Sequence, residues 1–227
     1  MLKFRHSGAT GDIIFSLPLI KHMGGGELYI TMADHQRSTS VAMLINEQPY
    51  ITHCYATAPP PPDCIDLDRF RSFAHHHSNL IEDHFKGAGI PIPDGVREPW
   101  LTLPELPEPL IWAGDYAVIN WTPRYEDPAF DWTGEVKHLL TFNKRVYFLG
   151  YQGEYDQFQE RFNTEAEFYD CNFLLAAYMI KYASVATCGY SAMATIAQGL
   201  GGAVRLVQAP GHTLSTLFVD RETVINA

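Results

Sequence analysis

The chain has no run of lysines and arginines, and its 16 basic residues are outnumbered by 26 acidic ones, for a formal net charge of −10. Nonspecific nucleic-acid binding needs a continuous basic face, so a polynucleotide partner is not expected. A small anion can still be held at a locally positive spot built from helix N-termini and a few Arg or Lys. No apolar run approaches the length of a membrane span, and Met1-Leu2-Lys3-Phe4-Arg5-His6-Ser7 lacks the long apolar core of a signal peptide. There are only four cysteines, Cys54, Cys64, Cys171 and Cys188, and no C-x-x-C pair among them. In a chain of this size that implies reduced thiols in a cytoplasmic protein.

Motifs for metals and dinucleotides are incomplete as well. His75-His76-His77 has no Cys, Asp or Glu at ligand spacing nearby, which favours a solvated loop. Asp63, Asp66 and Asp68 lack the glycine and distal glutamate of a calcium loop. Gly8-Ala9-Thr10-Gly11 has no third glycine in register for a dinucleotide turn. Tyr178 and Lys181 stand one residue too close for the Tyr-x-x-x-Lys pair of a short-chain reductase. No metal and no tightly held cofactor is expected.

What the chain does have is a repeated alternation of apolar runs. At 227 residues, 46% of them hydrophobic, it holds one ordinary α/β domain or two small ones. Strand-like segments are expected at Leu2–His6, Leu28–Met32, Ile51–Tyr55 and Ile65–Leu67. The expected helices run from Ile13 to Met23 (with a bend or break at Pro18), around Val41–Ile45, and over Asn79–Lys86. A stretch with Pro91, Pro93, Pro99, Pro104, Pro107 and Pro109 suits neither helix nor central strand and is expected to be a crossing linker, with the boundary near Glu108. Alternation then restarts. Strands are expected at Tyr116–Asn120, Arg145–Leu149, Val185–Thr187 and Ala203–Val207, and helices around Val136–Leu140, Tyr155–Phe162, Phe173–Tyr182 and Ala192–Leu200. The pattern implies parallel sheets covered by helices on both faces, with ligands bound beyond the carboxyl ends of the strands.

Two turns lie at that edge, Gly8-Ala9-Thr10-Gly11-Asp12 and Cys188-Gly189-Tyr190-Ser191-Ala192, each between a strand and a helix. Such a turn offers unpaired N–H groups and the positive end of a helix dipole. One turn in each half points to two α/β lobes facing a common cleft. Gly189 would let a ligand approach the backbone, and Tyr190 and Ser191 begin the helix; Ser191 suits either a plain cap or a contact to a phosphate oxygen. Arg124, on the loop after a strand, suits a bidentate diphosphate clamp or a surface pair with Glu126 or Asp127. Asp12 is a helix-start carboxylate, expected to stay ionised, and serves either as a cap or as a weak general base. Glu154 would hold ribose hydroxyls or favour a helix dipole. Trp121 and Trp132 would pack, or stack on a base or sugar.

Together these residues resemble the GT-B glycosyltransferases, specifically the ADP-heptose lipopolysaccharide heptosyltransferase group. Gly11-Asp12-Ile13-Ile14-Phe15-Ser16-Leu17-Pro18-Leu19 is similar to that group's Gly-Asp followed by an apolar helix carrying Leu-Pro. Thr187-Cys188-Gly189-Tyr190-Ser191-Ala192 matches its diphosphate-binding helix start at Gly189 and Ser191, with Thr187 in place of an acidic residue and Ala192 in place of a histidine. The resemblance implies two Rossmann-like doubly wound lobes: 1–108, with the Pro-rich linker, for the acceptor and 109–227 for the nucleotide-sugar. It implies Asp12 as catalytic base. Arg124, Gly189, Tyr190 and Ser191 would hold the donor diphosphate, Glu154 and Trp121 the ribose or base, and Gly8, Thr10 and Gly11 would face the acceptor. The implied activity is metal-independent transfer of a sugar to a saccharide or other hydroxyl acceptor. The alternatives are a nucleotide-sugar epimerase of the same architecture and a binding module without catalysis.

Overall fold

The structure, a computed structural model, describes residues 1–74, 79–96, 98–105 and 115–207, together with the backbone of a strand at Val224–Ile225. The first half runs β1 (Leu2–His6), α1 (Thr10–His22), β2 (Gly26–Ile30), α2 (His35–Asn46), β3 (Ile51–Tyr55), β4 (Ile65–Asp66), a 3-10 turn at Leu67–Ser72, and α3 (Leu80–Ala88). The second half opens with β5 (Tyr116–Asn120), a 3-10 turn at Pro123–Tyr125, α4 (Trp132–Leu140), β6 (Arg145–Phe148) and α5 (Gln152–Phe162). It continues through β7 (Glu167–Phe168), α6 (Phe173–Tyr182), β8 (Ala186–Cys188), α7 (Ala192–Gly199), β9 (Arg205–Val207) and β10 (Val224–Ile225). No helix among the described residues is long and apolar enough to cross a membrane. All four cysteines are free.

The strands form two sheets, a four-stranded one in the order β3-β2-β1-β4 and a six-stranded one in the order β10-β9-β8-β5-β6-β7. Every pairing is parallel. Parallel strands are covered on both faces, which is why β5 is buried at every residue. In each sheet the first strand is flanked by the second on one side and the fourth on the other. Strand order therefore reverses between β1 and β4, and again between β5 and β8, and a doubly wound sheet opens a crevice at such a point.

Helix α1 departs from expectation at Pro18. It runs unbroken through Pro18, and it is apolar almost all round: Ile13, Ile14, Leu17, Leu19 and Ile20 are all fully buried. A helix with no polar face is a core helix. It packs against α3 and α2 on its own side and against α7 from the other half, and this enclosure overrides the local cost of a mid-helix proline. The helix stops at Gly24 and Gly25, both with positive φ, where Gly25 N–H donates to the Ile20 carbonyl at 2.9 Å.

Since α1 meets α7 and α2 meets α6, one continuous apolar core joins the two sheets, from Phe4 and Leu28 to Ala194 and Leu206. A second core lies wholly in the second half, around Trp132, Phe148 and Phe158. The described part of the Pro-rich segment packs against both halves. Trp100 and Leu101 N–H groups both donate to the Gly199 carbonyl, at 2.9 and 2.8 Å, and Tyr50 OH donates to the Trp100 carbonyl at 2.6 Å. The boundary expected near Glu108 lies outside the described residues, as do Pro107, Pro109 and the His75-His76-His77 tract.

Candidate functional site

The first of the two turns leaves β1 at His6, whose ring is fully buried. Its Nδ1 accepts from Gly8 N–H at 2.9 Å and lies 3.3 Å from Asp68 Oδ1. A Cβ on Gly8 would stand 2.5 Å from His6 Cε1 and 2.9 Å from Asp12 Cβ, so the backbone passes between the two side chains only because residue 8 is glycine. Asp12 is the third residue of α1, and its Oδ2 accepts from Ala9 N–H at 3.2 Å. His84, on α3, lies against the same helix start, with Nε2 at 3.2 Å from the Asp12 carbonyl.

The sequence led us to expect an Asp12 that is ionised at neutral pH. In the fold, burial pushes its carboxyl above the usual Asp range, against the opposing pull of His6, the Ala9 N–H, Arg71 and Arg124. That makes Asp12 a stronger base than an exposed aspartate. Its neighbour Asp68 goes the other way. Burial alone would raise it, but the His6 ring beside it and hydrogen bonds from the Ser7 side chain and backbone outweigh burial and hold it well below the usual range.

In the second half, Arg124 sits in the 3-10 turn just past β5. Its guanidinium lies 4.9 Å from the Tyr125 ring centre, and that ring is 6.4 Å from the Tyr190 ring. The surface pairing weighed for Arg124 is not formed: Glu126 is held by Arg161 at 2.7 Å, and Asp127 accepts from Ala129 N–H. Arg124 has no ion-pair partner among the described residues. Ser191 caps α7, its side chain accepting from Ala194 N–H at 3.4 Å. Above Gly189 there is room, because an added Cβ would meet only the Asn120 carbonyl, at 3.9 Å. The neighbouring Cys188 thiol is buried and pushed up to about 12, which leaves it inert as a nucleophile. Thr187 points away from the cleft and donates to Glu135, which also pairs with Arg205 at 2.7 Å.

Glu154 repeats the Asp12 arrangement. It is the third residue of α5 and its Oε2 accepts from Tyr151 N–H at 3.3 Å, so it caps its helix while facing the cleft. Trp121 does not face it. The indole is 2% exposed and packs on Phe158 and Phe162, so the expected stacking on a base or sugar has no ring face available; Trp132 is likewise enclosed.

These elements meet in one cavity of about 230 Å³. Thr10 and Gly11 line it from the first half, and Arg124, Glu154, Tyr190 and Ser191 from the second. An adjoining cavity of about 650 Å³ shares Arg37, Gly150, Tyr151, Phe173 and Met193 with it. Arg37 and Asn120, which also line these cavities, were not singled out from sequence. Arg37, on α2, reaches over from the first half and places its guanidinium 4.3 Å from the Tyr151 ring centre. Asn120, the last residue of β5, lies at the floor. Its position at the end of a central strand was legible; the orientation of its amide was not. Asn120 Oδ1 and Thr10 Oγ1 are buried without a hydrogen-bond partner among the described residues, at about 1–3 kcal/mol for an unmade bond. No group of three or more His, Cys, Asp or Glu that could hold a metal occurs among the described residues.

Two parallel sheets covered by helices, in this order, are similar in fold to the heptosyltransferase group of glycosyltransferases. Escherichia coli heptosyltransferase WaaC with ADP-2-deoxy-2-fluoro heptose matches with a TM-score of 0.60 at 14% identity, over 100% of this chain and 93% of that one. The glycosyl transferase family 9 protein of Veillonella parvula DSM 2008 matches with a TM-score of 0.63 at 10% identity, over 99% and 84%. The iron-containing dodecameric glycosyltransferase TibC of enterotoxigenic E. coli H10407 matches with a TM-score of 0.64 at 13% identity, over 100% and 62%. No protein-family model matches the sequence, and neither does any curated protein. At these identities the likeness is one of fold.

Proposed function

We propose that the protein transfers a sugar from a nucleotide diphosphate-sugar to an acceptor hydroxyl, in a cleft between two lobes of the GT-B type. The observation that supports it most directly is the shared cavity, lined by the start of α1 on one side and by Arg124, Tyr190 and Ser191 on the other. A diphosphate suits the second side. Arg124 supplies a guanidinium with no ion-pair partner among the described residues, and the start of α7 supplies backbone N–H groups and its dipole. Gly189 leaves space over β8, and Glu154 suits the ribose hydroxyls. The solved neighbour carrying an ADP-sugar analogue supports this donor class.

The acceptor belongs to the first side, beside Gly8, Thr10 and Gly11. Its hydroxyl proton passes to Asp12 Oδ1, since Oδ2 is engaged by Ala9 N–H. The acceptor oxygen bonds to the anomeric carbon, the bond from that carbon to the diphosphate breaks, and the negative charge leaves with the diphosphate toward Arg124. Fixed cationic contacts of this kind stabilise the leaving group without a metal. The iron of TibC belongs to that protein, and undiminished turnover in EDTA is the check for this one.

The binding-module reading has its own support: the Thr187 hydroxyl is committed to Glu135, and Ala192 offers the cleft only a methyl group. A panel of ADP-, UDP- and GDP-sugars decides. Thermal stabilisation by one of them, with a new glycoside found by mass spectrometry when saccharide acceptors are added, is the expected result. An altered sugar without acceptor identifies an epimerase, stabilisation without chemistry a binding module, and no stabilisation by any of them overturns the donor assignment.

A further inference from the structure

His6 is the last residue of β1, and its ring is fully buried where the chain turns toward Asp12. One nitrogen of that ring faces two groups with opposite demands. Nδ1 accepts from Gly8 N–H at 2.9 Å, which needs a lone pair there. Asp68 Oδ1 stands 3.3 Å from the same nitrogen, and a carboxylate that close favours a proton on it. An imidazole nitrogen meets only one of these demands at a time. The other nitrogen, Nε2, is buried without a hydrogen-bond partner among the described residues, beside the Phe70 and His84 rings, so the choice is made at Nδ1.

The groups facing the ring weigh on that choice. In the 3-10 turn, Asp68 already accepts from the Ser7 N–H and from the Ser7 hydroxyl, the latter at 2.7 Å, and pairs with Arg71 at 3.1 Å. It is satisfied without a proton from His6. Among the described residues, Gly8 N–H has Nδ1 as its one acceptor. From α3, His84 holds the Asp12 carbonyl through Nε2 at 3.2 Å, and burial keeps that ring neutral. From α1 comes Asp12 itself. The point a Cβ on Gly8 would occupy lies 2.5 Å from His6 Cε1 and 3.0 Å from Asp12 Oδ2, so a single glycine backbone stands between ring and carboxylate.

We propose that His6 is a positioning residue for Asp12: with Nδ1 unprotonated it anchors the Gly8 peptide and fixes the turn that carries the carboxylate, and with Nδ1 protonated it pairs with Asp68 and releases that anchor. The base role of Asp12 comes from the glycosyl-transfer reading, on which this rests. Acid thus acts twice on the site, once on Asp12 and once on the ring beneath it.

Nitrogen-15 NMR of histidine-labelled protein, with His6 assigned by its absence in His6→Asn, reads the ring directly. The expected result is an Nε2-protonated tautomer at about pH 8, above the range in which imidazoles ordinarily titrate. On acidification it gives way to the imidazolium, and the Gly8 amide shifts at the same midpoint. A ring protonated at Nδ1 throughout, or a Gly8 amide that ignores the transition, overturns the proposal. Kinetics supply the second arm. His6→Leu removes the acceptor and should cut kcat about 10²-fold, the scale for a reacting group displaced by about 1 Å, with donor KM within about twofold of wild type. His6→Asn sets an amide oxygen near the place of Nδ1 and does not titrate. It should recover most of kcat and make the acid limb of the rate profile shallower, from two protons to one. Full kcat in His6→Leu, equal loss in both variants, or an unchanged slope in His6→Asn overturns the positioning role. If His6→Leu fails to fold, the His6→Asn slope and the wild-type spectra still decide. Absence of transfer by the wild type with any nucleotide-sugar overturns the glycosyl-transfer reading instead, and the spectra alone then decide whether His6 holds the turn.

Discussion

Arg124 of the second half acts electrostatically on Asp12 of the first, lowering a carboxyl that burial has raised. Asp12 lies in α1 of the first half and Arg124 in the turn after β5 of the second; Thr10 and Gly11, just before Asp12, line one cavity with Arg124, and α1 packs against α7. The group proposed to take a proton and the group proposed to hold the leaving diphosphate therefore sense each other's charge.

Asp12→Asn should leave the fold intact, because an amide oxygen can still accept from Ala9 N–H. Transfer should fall by roughly 10²–10⁴-fold, the range for loss of a general base, with donor affinity within about twofold of wild type. Initial rates by chromatography and donor binding by calorimetry check both halves of the expectation. Wild-type turnover would remove Asp12 from the mechanism.

The pH–rate profile should carry an acidic limb from Asp12. The base works deprotonated and its pKa is raised, so the rate climbs with pH through a midpoint above the ordinary Asp value. Arg124→Met removes a charge that lowers that pKa, so the limb should move to higher pH while affinity for pyrophosphate drops. An unmoved limb would mean that Arg124 does not reach Asp12 in the working enzyme.

Stability against acid should depend on Asp68. Its folded pKa lies below the unfolded one, so it stabilises the fold above the ordinary carboxylate range, and the contribution is lost as pH falls below about 4. Asp12 has the opposite sign: its raised pKa means that protonation on acidification relieves a cost. Asp68→Asn should lower the melting temperature at pH 7 and flatten the loss between about pH 4 and pH 2, which calorimetric melting across that range would show.

Trp121→Phe should keep nucleotide affinity unchanged and lower stability modestly, since the indole is enclosed by Phe158 and Phe162. Trp121→Ala should cost about 3–5 kcal/mol by urea unfolding, as for other large buried aromatics. A selective loss of nucleotide binding in the Phe variant would show that the ring reaches the ligand.

Much of this was readable in the chain. The strand–turn–helix units around Asp12 and Ser191 stand where the alternation puts them, because apolar runs bounded by glycine specify their own local form. Of the short edge strands, β4 was expected and β7 was not. β7 is two residues long, too short for any periodicity. Pro18 misled because a local rule about proline says nothing of the enclosure that α1 enjoys. Trp121 looked like a cleft residue because it directly follows β5, and sequence position does not reveal which way a side chain turns.

By itself, then, the sequence determined the units: parallel strands joined by helices, with glycine-containing turns and charged residues at the carboxyl edge. Those features come from spacing along the chain, which local sterics and hydrophobic periodicity convert directly into structure. Tertiary packing alone decided which side chains share the cleft. It enclosed Trp121, raised Asp12 by burial, and brought Arg37 over Tyr151. Burial and hydrogen-bond completion depend on atoms far apart in sequence, and those meet only when both sheets are assembled.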